Sequence, residues 1–261
     1  MKKKVFKSYV FLSNCLWNFF LLFKKSLALD SSEAQALNFF NYKKQLELVF
    51  KNCGSLILSN DCGGGSESYI NLLLEENSSL KELAILKYNY RKGYFFLRKN
   101  PNSAKEKKNS YVFPKYLFKE IYKAAFKNSR QIIINNIAFF SEPIFLINQL
   151  VKQKLEDKPL IYIVNDYFSI CPSFFLLNYK GIYCDIPEIE ICKKCLKKNN
   201  LDFIVNIERD IEKWRKKWLQ FLGKCDEIRV FSESSSMLMK KAYPEISDKI
   251  LKIKPNYPKA F

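Results

Sequence analysis

A glycine turn, a strand-end carboxylate and four clustered cysteines are the residues whose types and spacing could do chemistry in this sequence. The run Asp61-Cys62-Gly63-Gly64-Gly65-Ser66-Glu67 sits between an apolar strand pattern at 55–59 and a helical pattern at 66–76. Glycines at such a junction let the backbone bend sharply and let a phosphate or sugar approach its amides, while the helix N-terminus adds a positive dipole end. Glu67 falls in the first helical turn, where a carboxylate is stabilised. The same run also reads as a plain tight turn with Ser66 as cap. It is neither the dinucleotide fingerprint nor a P-loop, because no Lys-Ser/Thr pair follows.

Asn165-Asp166-Tyr167 ends the cleanest strand pattern, 160–164. Strand ends of this kind open toward the crevice where α/β proteins hold ligands. The chain contains no histidine. That excludes a histidine base, a histidine metal ligand and a Ser-His-Asp triad, so proton transfer must fall to carboxylates, Lys, Tyr or Cys. Asp166 is then a candidate general base or hydroxyl orienter, against the plainer role of capping a turn. Ser232-Glu233 also follows a strand and opens a helix. Ser232 is a natural N-cap there, and Glu233 could reach a substrate.

Cys171, Cys184, Cys192 and Cys195 give the spacing C-x12-C-x7-C-x2-C. The C-x2-C pair suits two ligands of a tetrahedral zinc, and the other two could close the site. Buried thiols and, in an oxidising compartment, disulfides remain open alternatives.

The elements that must position these residues alternate. Strands are expected near 55–59, 83–86, 131–135, 160–164, 227–231 and 250–253, with a small antiparallel strand at 94–97. Helices are expected at 31–52, 66–76, 116–126, 144–155, 207–222 and 234–242. Such alternation implies parallel βαβ units: an α/β, Rossmann-like doubly wound sheet over 53–256. An N-terminal helical extension over 1–52 precedes it, with Leu37, Phe39, Phe40, Leu46, Leu48 and Phe50 as its apolar positions. A Cys-rich insertion over 167–200 interrupts it, and residues 100–110 read as a polar surface loop.

The chain has 261 residues and a formal charge of +18. A positive surface favours anionic partners, but only six of the 44 basic residues are Arg, the usual reader of base edges, and no nucleic-acid-binding motif is present. No nucleic-acid partner is expected. At the amino end, four lysines among the first seven residues precede an apolar run over 9–23. It fits a signal peptide, a short membrane span or, best, an amphipathic helix docked on the protein or on a membrane surface. The expected location is cytoplasmic or peripheral at the inner face of the membrane.

Taken in order, these residues resemble the N-terminal domain of bacterial glycosyltransferases of family 4, with the GT-B fold. The resemblance runs from about Leu56 to Asn256: the Gly63–Glu67 loop, Asn165-Asp166-Tyr167, Cys171-Pro172 with Cys184 and Cys192-x2-Cys195, the segment 211–218, Ile228-Arg229-Val230-Phe231-Ser232-Glu233, and Ile253-Lys254-Pro255-Asn256. It implies sugar transfer from a nucleotide sugar to a saccharide or lipid-linked acceptor, with retention of configuration, in the making of cell-surface glycans. It makes Asp166 and Glu67 the catalytic candidates. Gly63, Gly64, Gly65, Ser66, Asn165, Tyr167 and Glu233 become substrate-binding candidates. Two positions depart from the family: Asn165 stands where it usually has His, and Ser68 or Tyr69 where a second His is common. The interdomain linker would begin at 257–261. The expectation is therefore an acceptor-side half, inactive alone: a truncated reading frame, one half of a split enzyme completed by a separate C-terminal half protein, or a degenerate remnant. The alternative is a non-catalytic glycan- or partner-binding module stabilised by a four-cysteine zinc site.

Overall fold

The computed structural model describes residues 35–36, 42–51, 53–76, 82–100, 110–140, 142–153, 158–199 and 208–254. The strands are β1 (Gln35–Ala36), β2 (Cys53–Asn60), β3 (Leu83–Asn89), β4 (Tyr94–Lys99), β5 (Ser110–Pro114), β6 (Ser129–Ile134), β7 (Leu160–Ile163), β8 (Glu227–Val230) and β9 (Ile250–Lys252). The helices are α1 (Tyr42–Phe50), α2 (Gly65–Glu76), α3 (Phe118–Asn128), α4 (Pro143–Gln153), α5 (Ile189–Lys198), α6 (Ile211–Leu222) and α7 (Glu233–Ala242).

All nine strands form one sheet in the order β1-β5-β4-β3-β2-β6-β7-β8-β9. The six strands expected to be parallel are parallel neighbours, with Ile57 level with Ile85 and Ile133. They read as unbroken apolar runs because both faces are covered; every residue of β2 is buried. Leu56, Leu58, Ile132, Ile134 and Tyr162 pack against helices on one face. Ile57, Ile85, Ile133 and Ile161 meet Tyr69, Ile70, Leu72 and Leu73 of α2 on the other. The chain is therefore α/β, with an arrangement compatible with a Rossmann-like fold.

The sheet departs from a purely parallel one at a single place. β4 pairs antiparallel with both β3 and β5, so the sheet is mixed. β5 emerges from the end of a segment expected to be a loop. At the far edge β1 pairs parallel with β5, so the expected helix over 31–52 is corrected: a strand at Gln35–Ala36 precedes the shorter helix α1. In α1, Leu46 and Phe50 are buried, but Leu48 is exposed; Leu37, Phe39 and Phe40 lie outside the described residues. The apolar run over 9–23 also lies outside them. No helix among the described residues is long and apolar enough to cross a membrane.

Helix α6 explains why the loop after β7 is held firmly. Asp210 caps it by accepting from the backbone N–H groups of Glu212 and Lys213. Ile211, Trp214, Trp218, Phe221 and Leu222 then fall on its buried face at helical spacing. Trp214 packs edge-on against Phe168 and donates its indole N–H to the Phe168 carbonyl at 3.0 Å. Trp218 is as deeply buried, yet its Nε1 has no partner among the described residues. Trp214→Phe strands a buried carbonyl, a penalty of about 1–3 kcal/mol, whereas Trp218→Phe removes a donor that was already unsatisfied. Chemical denaturation should therefore rank Trp214→Phe as clearly the more destabilised. An equal or reversed order would show that this hydrogen bond does not hold the loop.

Candidate functional site

The chain runs from β2 through α2 to β3 on one side, then returns to β6 on the other side of β2. Strand order reverses at the β2–β6 boundary, the place where open α/β sheets bind ligands beyond their carboxyl ends. The residues there are strongly polar, and Asn136, Asn165 and Asp166 are partly buried. Asn60 ends β2, Asn135 and Asn136 follow β6, and Asn165 and Asp166 follow β7. Asn60 and Asn135 are almost fully buried.

These side chains form one directed network. The Asn60 Oδ1 accepts from the Cys62 backbone N–H, which fixes the amide's orientation. Its Nδ2 donates to Asn136 Oδ1 at 2.7 Å. Asn136 Oδ1 also accepts from the Ala138 N–H, so its Nδ2 must point away, and it donates to Asp166 Oδ2 at 3.0 Å. The other Asp166 oxygen accepts from the Phe168 N–H at 2.9 Å. A second branch ties the glycine turn in: Asn135 Nδ2 donates to the Ser66 carbonyl and to Ser59 Oγ, and Asn165 Nδ2 donates to Asn135 Oδ1. The glycine turn and Asp166 thus share one end of the sheet, joined by hydrogen bonds across β6.

Burial dominates the electrostatics of Asp166. Desolvation pushes its carboxyl from an ordinary 3.8 up to about 6, against the lowering effect of the Phe168 N–H and the Asn136 amide. A carboxyl that holds its proton nearly to neutrality can accept or share one there.

The other expected site residues divide. Gly63 and Gly64 have φ of +73° and +75°, a conformation that favours glycine. Gly65 opens α2 with an ordinary φ. An added Cβ at any of the three would meet no atom within 4 Å, so the turn is open to approach. Ser66 Oγ donates back to the Gly63 carbonyl. Glu67 is not a lone carboxylate: Lys87 of β3 places its Nζ 2.6 Å from both carboxylate oxygens. Tyr167 shares a hydrogen bond with Ser235 Oγ at 3.2 Å. Ser232 caps α7 by accepting from the Ser235 N–H. Glu233 is held by Lys252 of β9 at 2.7 Å, and that lysine also keeps its carboxyl below the ordinary range. Asn60, Asn135, Asn136 and Lys87 were not picked out from the sequence. The strand-end rule that found Asp166, applied to β2 and β6, would have found the three amides.

Cys171, Cys184 and Cys192 lie near Arg215 of α6, and Cys195 lies near Cys184 and Cys192. The thiol of Cys171 feels those of Cys192 and Cys184, Cys192 feels Cys195, and Arg215 reaches Cys192 Sγ at 3.8 Å. Arg215 also donates to the Ile170 carbonyl and has no carboxylate partner among the described residues. Burial pushes the Cys171 thiol up to about 12 and raises Cys184 and Cys192. Among the described residues, no group of three or more Cys, His, Asp or Glu is arranged to hold a metal ion. The four thiols are not arranged at metal-ligand geometry, so the structure lends no support to the expected zinc site.

No family model, curated protein or solved structure matches this chain.

Proposed function

We propose that this domain is the acceptor-side half of a GT-B sugar-transferring enzyme of the family 4 type, acting in cell-surface glycan synthesis. The observation that supports this most is the carboxamide–carboxylate cluster at the strand-order reversal, beside an open glycine turn. Sugars are recognised by a few convergent polar groups, and the O–H groups of an acceptor need acceptors in return. Asp166 and the Asn165 Oδ1 supply them. Asp166 orients the acceptor hydroxyl and takes up its proton, and the glycine turn leaves room for a ring or a phosphate. The nucleotide sugar belongs to a second half with its own basic groups.

The test is a transfer assay with nucleotide-sugar donors and saccharide or lipid-linked acceptors, run with this chain alone and with the product of a neighbouring reading frame. Acceptor binding by this chain, with transfer appearing when the second half is added, supports the reading. Saccharide binding with no transfer under either condition would instead favour the non-catalytic glycan-binding module. No saccharide binding at all refutes both.

The zinc reading of the cysteines belongs to the same proposal. Ligation needs thiolates drawn closer together, with Arg215 offsetting their charge and the metal replacing four protons. Metal analysis of freshly purified, reduced protein decides it. About one zinc per chain supports ligation, and none leaves the four as free thiols.

A further inference from the structure

We infer that the Cys-rich insertion and the adjoining face of α7 form a docking surface for an anionic lipid membrane, independent of the sugar-transfer reading. Large apolar side chains exposed to water are concentrated there: Phe175 at 63%, Ile182 at 59%, Ile191 at 55% and Met237 at 64%, with Tyr179 and Tyr183 beside them. A hairpin over 177–183 carries Tyr179, Ile182 and Tyr183, while Ile191 stands on α5 and Met237 on α7. Leu177 bridges Tyr183, Asn178 Oδ1 accepts from the Lys180 and Ile182 N–H groups, and Gly181 turns the chain at φ +75°. Tyr183 and Met237 line one open groove of about 510 Å³, together with Asp185, Lys240 and Lys241, so the end of the hairpin adjoins α7.

The charge around this face points to the occupant. Lys180 and Lys198 both sit over the Tyr179 ring, at 5.8 and 5.2 Å. These two, with Lys194, Lys197 and Lys240, have no carboxylate within ion-pair distance among the described residues. Neither 171–199 nor 233–242 contains an Arg. Lysine is depleted at protein–protein interfaces, where Arg is enriched, whereas lysine with Tyr and aliphatic side chains suits an anionic lipid surface. A second copy of this chain would bring the same lysines face to face. Because the insertion follows Asp166 directly, a docked domain would hold its crevice close to the lipid.

The test is co-sedimentation of the full chain with phosphatidylcholine vesicles, with and without phosphatidylglycerol. Binding is expected only with the anionic lipid, and to weaken as salt rises from about 0.1 to about 1 M, where the screening length falls from about 10 to about 3 Å. A chain this basic binds anionic vesicles through diffuse charge as well, so the deciding variants leave charge unchanged. Phe175→Ser with Ile182→Ser should weaken binding roughly tenfold or more, while Leu48→Ser, exposed but off this face, should not. Lys180→Glu with Lys198→Glu should weaken it by a further roughly tenfold. Both pairs are exposed, and unchanged thermal unfolding confirms folding. Equal binding by the Phe175/Ile182 variant and the wild type, equal loss in Leu48→Ser, equal binding to uncharged vesicles, or no vesicle binding overturns the proposal.

Discussion

The stability difference between the wild-type protein and Asp166→Asn should shift by about 2–3 kcal/mol between about pH 4 and about pH 7. The folded chain holds the Asp166 proton up to about 6, while an unfolded chain releases it near 3.8. Between those values the folded state binds more protons than the unfolded one, so this group's contribution falls as pH rises. Below both values it contributes nothing, and above both the full penalty of a buried carboxylate applies. The difference of about two units, at about 1.4 kcal/mol each, sets the size. Asn does not titrate. It also offers an NH2 to the Asn136 amide, a cost that shifts the two curves apart by a constant and leaves the pH-dependent part untouched. Urea unfolding of both proteins across that range measures the effect. Parallel profiles would mean that Asp166 is solvated and ionised throughout.

On the proposed function, Asp166→Ala should lower sugar transfer roughly 10²–10⁴-fold when a nucleotide-sugar-binding half is supplied, the usual worth of a positioned acid–base group. Glu67→Gln should do far less, under about tenfold. Both were equal candidates from the sequence, and the geometry separates them. Asp166 is bound only by donors that leave it able to take a proton, whereas Lys87 occupies both oxygens of Glu67. Loss of Glu67 leaves Lys87 partly buried without its partner, so its effect should appear in stability more than in rate. Single-turnover rates of the two variants provide the comparison. Equal losses, or a larger one for Glu67→Gln, would move the proton-handling role to the glycine turn.

The parallel strands were legible because a strand covered on both faces becomes an uninterrupted apolar run, as in Leu56-Ile57-Leu58. β5 was not, because Ser110-Tyr111-Val112-Phe113-Pro114 is short, begins beside a polar stretch and ends in proline. β1 has only two residues and carries no periodicity at all. α5 escaped notice inside the cysteine segment for a related reason. It buries only Cys192 and Leu196, and lysines fill half of the rest. In the site, Asp166 and the glycine turn stood out by type and place. Asn60, Asn135 and Asn136 did not, since asparagine after a strand ordinarily signals a turn. What makes them part of a site is that strands far apart in sequence bring them together, and that is a property of strand order alone.

The amides behind Asp166 also decide where a proton can travel. A carboxamide donates and accepts hydrogen bonds but does not titrate near neutral pH, so a row of them cannot pass a proton along as a chain of waters or hydroxyls does. Asn60 and Asn136, locked in orientation by the N–H groups of Cys62 and Ala138, therefore form an insulating wall on the inner side of the carboxyl. A proton that Asp166 gains therefore has no relay through these two amides, and a ligand seated against the carboxyl's other side would exchange it directly.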